Sequence, residues 1–466
     1  MKDYLYPDFP SLFIRTAILI AFYTGINMGT HVAFTIGFDF PLGPGFHAYI
    51  QTHGYLQLMG WAGLFIMGVS IHFLSRLAHL NQPITNLVKR IYHWMVGGLV
   101  LRFIAHSFLP YFRQSTYYGF FAWSTMISGL AVCVGIFLYL RFLFTVIKNM
   151  EPAKISPNRD IRVFLIMNVI GWIVFAVGST ILLGVMVYTE DVSLMQNWHV
   201  FLVDFFLLFT VFPICIGVGL RALPLFMRLP KIDWNVKRFS WIYFGVVVSI
   251  IGTKLFYHFI YITVLPKFIY SATFLKNVLL LWFVFKLDIL FKTKQDWTEA
   301  QNEERIPHRR ETRKGFPDYG EFGRFEWLIR SAFIWLVIGL FLDMMIQIGL
   351  LFKIQMGIGI DGVRHLWLAG FVSLLIMGMA VRMIPGMTGV MKLKHPNRVA
   401  WLAIVMNVSV LFRTLSIALP ESMLNIIPNG SVMALRLFGF SGILFLIGLW
   451  IFYYIMKPVL AHTKNN

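Results

Sequence analysis

The sequence predicts an all-α, polytopic membrane protein of about twelve transmembrane helices in three four-helix pseudo-repeats. Three observations predict it. The 466 residues are 58% hydrophobic and only 13% charged, too little polar surface for a soluble chain of this length. Apolar runs recur throughout, each as long as the ~20 residues that a helix needs to cross about 30 Å of hydrocarbon. The Lys and Arg residues gather in alternate loops, the pattern of the positive-inside rule.

The runs lie at about 11–38, 50–77, 88–110, 117–147, 161–188, 199–227, 237–265, 272–292, 326–354, 363–386, 398–419 and 432–457, numbered here spans 1 to 12. Each is read as a helix because a backbone in lipid must satisfy its own hydrogen bonds. No signal-peptide pattern with a small-residue cleavage site precedes span 1, so that span is expected to be retained. Arg76, Lys89 and Arg90 mark the loop after span 2. Lys148, Lys154, Arg159 and Arg162 mark the next basic loop, and Arg228, Lys231, Lys237 and Arg238 the one after span 6. Lys392, Lys394 and Arg398 follow span 10. The intervening loops carry few cations, Arg113 and Lys267 among them.

Both termini are therefore expected in the cytoplasm, with the chain integral to the cell (inner) membrane. The net charge of +19 belongs to these loops, so membrane lipid and not nucleic acid is the expected partner. Cys133 and Cys215 fall in apolar runs and suggest neither a disulfide framework nor a cysteine metal motif. The segment 293–325 contains RIPHRRETRK and lacks apolar periodicity. It reads as a solvated cytoplasmic linker loop. Residues 1–466 are otherwise expected to form one integral membrane domain.

The pseudo-repeats are drawn at about 1–147, 161–292 and 326–457. Span 2 reads HGYLQLMGWAGLFIMGVSIHFLSRL, span 6 HVFLVDFFLLFTVFPICIGVGLRALPLF and span 10 RHLWLAGFVSLLIMGMAVRMIPGM. Each has a His at or near its start and closes with small residues, then a basic residue or His. The next helix in each unit carries a polar group in turn: Arg102 and His106 in span 3, Lys254 and His258 in span 7, Arg413 in span 11. Recurrence at a fixed helix count is a fold-level signal.

A histidine in a membrane helix is costly without a partner, a cavity or a metal. The charge pattern puts His53, His199, His258 and His365 toward the outer face, with His31, His47 and His106 at the same level. Neutral imidazole ligates haem iron and copper. His53, His199, His258 and His365 are the candidate metal ligands. The ordinary reading of His31, His47 and His106 is interfacial or hydrogen-bonding. His79, His93, His308, His395 and His462 lie toward the cytoplasm or in loops and are assigned no chemistry. His53 and His72 stand about 28 Å apart along one helix, so they cannot share a metal, and His72 reads as an anchor at the inner interface.

Arg102, Lys254 and Arg413 are intramembrane cations. Arg102 and Arg413 could hold haem propionates, or merely snorkel. Asp204 and Asp343 are the intramembrane carboxylates, read first as structural pairing partners; second, Asp204 could orient an imidazole and Asp343 relay protons. Gly60, Gly63 and Gly68 suit close helix approach.

Twelve spans with histidines on spans 2, 6, 7 and 10 resemble subunit I of the haem–copper oxidases, a family that includes the nitric oxide reductases. The resemblance implies that fold, His53 and His365 as the axial pair of a low-spin haem, and His199 and His258 as copper-side ligands. The full binuclear-centre motif is absent: span 10 offers His365 alone, Phe259 follows His258, and no Tyr follows His199 in the oxidase pattern. The segments of spans 2 and 10, with His47-Ala48 before His53, look more like the NnrS family, whose members are haem- and copper-containing membrane proteins linked to nitric oxide. That resemblance implies b-type haem, with copper as a further cofactor. It also implies a small diatomic ligand such as nitric oxide, and electron-donor or partner subunits. With no C-x-x-C-H motif, covalent attachment of c-type haem is not expected.

The expected function is thus haem binding in nitric oxide metabolism or stress response, with redox activity as an oxidoreductase or as a sensor without turnover. The alternatives are a catalytic subunit of a haem–copper oxidase or nitric oxide reductase, and an ion-coupled transporter using Asp204, Asp343, Lys254 and Arg413.

Overall fold

The computed structural model describes residues 9–77, 83–149, 160–227, 229–230, 232–260, 262–291 and 321–461. Among the described residues, twelve helices are long and apolar enough to cross a membrane. They are Pro10–Phe38, Gly43–Ser75, Ile84–Phe112, Tyr118–Asn149, Arg162–Tyr188, Gln196–Met227, Val236–Phe259, Leu265–Leu287, Phe325–Phe352, Ile360–Thr388, Arg398–Ser416 and Gly430–Leu460. The protein is an all-helical membrane protein, as hydropathy predicts. The linker 293–325 falls almost wholly outside the described residues, as do His79, His308 and His462.

One span is displaced from its predicted place. Span 8 runs Leu265–Leu287 and not 272–292. Span 7 stops at Phe259 because Ile260 is extended, with φ −133°. The next helix begins at Leu265 with a proline in its first turn, where the missing N–H costs no hydrogen bond. Asp288, in the left-handed conformation, ends it.

The chain packs into two compact units. The first holds Met1–Arg162 and Ile166–Val211; the second holds Val163–Leu165 and Phe212–Lys464. In the first unit the span 2 glycines seat neighbouring side chains: Gly60 faces Ile20, Gly63 the Trp172 ring, and Gly68 Phe13 and Ile14. Small residues let helix backbones approach, and in lipid that close packing takes the place of the hydrophobic drive. Trp172 is fully buried and meets Tyr139 and Phe206 edge-on. Hydroxyl pairs Thr16–Tyr92 (2.9 Å) and Ser70–Tyr139 (2.7 Å) cross between helices. In the second unit Phe212 packs on Trp367 and Phe371, and Phe333 on Phe371. The Trp335 indole donates to Asn407 Oδ1 at 2.8 Å, and Asn407 donates to Ser331 Oγ at 3.0 Å, joining spans 9 and 11.

Among the described residues, four spans contain a π-helical segment: Ala21–Gly25 in span 1, Leu56–Gly63 in span 2, Leu207–Val211 in span 6 and Leu366–Val372 in span 10. Spans 2, 6 and 10 are the three that carry a histidine near their start. In span 6 Pro213 lies just beyond the π segment, and its missing N–H breaks the α-helical ladder there. π segments inside helices are frequent at functional sites.

Candidate functional site

His53 sits where spans 1 and 2 meet. Its Nδ1 lies 2.6 Å from the carbonyl oxygen of Gly25, the last residue of the span 1 π segment. A carbonyl only accepts, so Nδ1 carries the proton and donates it. In a neutral imidazole the Nε2 lone pair is then the ligating one, which is how a histidine is oriented for a metal. The ring lies flat over Gly29: a Cβ built there would come within 2.8 Å of Nδ1. Gly29 thus leaves the space that the imidazole fills. The π segments of spans 1 and 2 pack against each other beside it.

Arg102 and His106 lie one turn apart on span 3, hence on one face. That face meets span 2 at Thr52 and Tyr55. Thr52 Oγ1 is 2.7 Å from His106 Nδ1, and the Arg102 guanidinium stands 5.2 Å from the Tyr55 ring centroid. Arg102 is 1% exposed and His106 0%. Arg102 Nε and Nη1, His106 Nε2 and the Ser107 hydroxyl are buried without a hydrogen-bond partner. The Val192 backbone is the polar group beside the His106 ring. The sequence marked Arg102 as an intramembrane cation. It did not mark Thr52 or Tyr55, whose roles appear only when spans 2 and 3 face each other.

The other candidates are more open. His258 is exposed and His365 half-buried. Their Nδ1 atoms bond the carbonyls four residues back, Lys254 at 2.8 Å and Asp361 at 2.7 Å. His93 does the same with Lys89, so this contact is a local habit of helical histidines. His53 differs in reaching a carbonyl on another helix. His199 and Asp204 are half-buried, as is Lys254. Arg413 is half-buried, with its guanidinium 4.8 Å from the Phe438 ring centroid. His31 packs against Phe40 and Tyr49, and His47 is exposed beside Phe46. His53 and His199 belong to the first unit, His258 and His365 to the second.

Asp343 is paired, as its first reading expected, but through partners that the sequence reading had not singled out. Lys276 Nζ lies 3.3 Å from Oδ2, Asn277 Nδ2 donates to Oδ2 at 2.8 Å, and Gln347 Nε2 donates to Oδ1 at 2.7 Å. Lys276 also stands 4.5 Å from the Trp367 ring centroid. The signal that could have found this cluster was a lysine in the middle of span 8.

Among the described residues no three or more His, Cys, Asp or Glu side chains come together to hold a metal ion. These residues do not fit the expected copper centre. The surroundings of His53 do fit one axial position of a haem: a fixed tautomer and a ring set on a glycine.

The chain is similar to a heme-copper terminal oxidase whose dimer was solved by cryo-EM. The TM-score is 0.62 at 14% sequence identity, over 98% of this chain and 85% of that one. At this identity the likeness establishes the fold alone. No protein-family model matches the sequence, and no curated protein does.

Proposed function

We propose that this membrane protein of oxidase-like fold binds haem without covalent attachment and acts in nitric oxide metabolism or stress response, as the NnrS proteins do. The observation that supports the reading is the hydrogen bond from His53 Nδ1 to the Gly25 carbonyl, which makes Nε2 the nitrogen that would ligate iron. His53 and His365 are the proposed axial pair, with Arg102 and Arg413 as partners for the propionates. A b-type haem, when bound, supplies a one-electron couple and an iron that takes diatomic ligands. The chain's own part is to hold the imidazoles and exclude water with apolar walls. Copper at His199 and His258 is not part of the proposal, because no metal-holding group forms among the described residues. The three pseudo-repeats and the cytoplasmic placing of both termini are part of the same proposal.

A pyridine haemochrome spectrum of the purified protein tests it. Near-stoichiometric b-type haem is expected, and His53→Ala or His365→Ala should each abolish a low-spin signal. Protein that holds no haem would refute the reading. An unchanged spectrum in either variant would refute the axial pair. Nitric oxide consumption with a reductant then divides turnover from sensing.

The buried Lys276–Asp343 pair favours a second reading, ion-coupled transport, since intramembrane charges often mark ion pathways. The haem measurement separates the two.

A further inference from the structure

The strongest unanswered chemistry in the first unit is Arg102. It is 1% exposed, and two of its guanidinium nitrogens have no hydrogen-bond partner. Its contact is with a neutral ring, that of Tyr55. A guanidinium stays charged in a protein, and a buried charge without a counter-charge is among the costliest features a fold can carry. Exposure to lipid would not relieve it. An anion would.

His106, one turn on, completes the site. Thr30 and Thr35 donate their hydroxyl hydrogens to the carbonyls four residues back. Thr52 makes no such bond, and its hydroxyl faces His106 Nδ1 at 2.7 Å. With that hydrogen given to Nδ1, the ring proton sits on Nε2, a second buried donor, with the Val192 backbone beside it. Donors of this kind, held dry and fixed by packing, suit a negatively charged oxygen.

We propose that Arg102 and His106 form an anion-binding site between spans 2 and 3, and that it takes a carboxylate. The carboxylate belongs either to a haem side chain or to a free small acid. Only the first source rests on the haem reading above.

The test uses the full-length chain, purified without haem in detergent and titrated with sodium formate at constant ionic strength. A saturable rise in the unfolding temperature is expected. It should vanish in Arg102→Gln and weaken in His106→Ala, with size-exclusion profiles confirming that both variants remain folded. Thr52→Val, which keeps both donors but frees the ring, should weaken it too. A second arm compares binding of haem with binding of haem dimethyl ester, whose carboxylates are blocked. A preference for haem of about tenfold or more, lost in Arg102→Gln, identifies the haem side chain as the source. Equal binding of the two, with the formate response intact, identifies a free acid. Failure of the chain to bind either haem would sink the haem reading and leave the formate result to stand by itself. A formate response unchanged in Arg102→Gln overturns the proposal. So does the lack of any formate response, unless haem shows an Arg102-dependent preference over its ester.

Discussion

Lys276 and Asp343 form an ion pair across spans 8 and 9, Nζ to Oδ2 at 3.3 Å, with both side chains almost wholly buried. Asn277 and Gln347 hold the carboxylate as well, so each of its oxygens accepts a hydrogen bond. Such a pair gains little over an apolar replacement but is costly to break, because the remaining charge keeps its desolvation penalty.

The first prediction follows from that asymmetry. Lys276→Met should lower stability by about 3–5 kcal/mol, whereas Lys276→Met with Asp343→Leu should recover most of the loss. Thermal unfolding in detergent measures the cycle. A double variant no more stable than the single one would show that the pair does more than balance charge.

Arg102 should behave in the opposite way. Its guanidinium lacks a counter-charge, so Arg102→Met should leave the haem-free chain as stable as before or raise its stability by about 1–3 kcal/mol, the cost of an unsatisfied buried polar group. The same unfolding measurement applies. A clear loss of stability would mean that the guanidinium is already neutralised in the empty protein.

Gly29→Ala should act on His53 alone. The added methyl would fall on the imidazole, which must then leave Gly25 or shift along its helix. Haem content and the low-spin spectrum are expected to fall, with the first unit still folded. A spectrum identical to wild type would show that the fixed tautomer of His53 is not needed.

Asn407 offers a structural control. Asn407→Leu removes the acceptor of the Trp335 indole and the donor to Ser331. Interhelical hydrogen bonds in membrane proteins are each worth about 0.6 kcal/mol, so a loss near 1 kcal/mol is expected, with haem content unchanged. A change in haem content would show that spans 9 and 11 set the geometry of the site.

The candidate residues show how much of this could be read from sequence. His53 and Arg102 stood out because polar groups in apolar runs are costly, and cost can be judged from sequence. Their partners did not stand out. Gly25, Thr52 and Tyr55 are unremarkable residues in a membrane helix, and Lys276 was passed over beside more prominent cations. Hydropathy starts span 8 too late because it averages over an extended Ile260 and a proline at 266, which end one helix and start the next.

The sequence by itself determined the class of structure: twelve helices, because a chain this apolar must sit in lipid and there close its hydrogen bonds within each segment. Only the tertiary structure decided which polar groups meet. The Thr52–His106 bond joins residues 54 apart, and the Asn277–Asp343 bond residues 66 apart. Such contacts depend on how each helix is rotated about its axis. Packing sets that rotation through glycine-lined surfaces and π-helical turns, and neither has a period that the sequence displays.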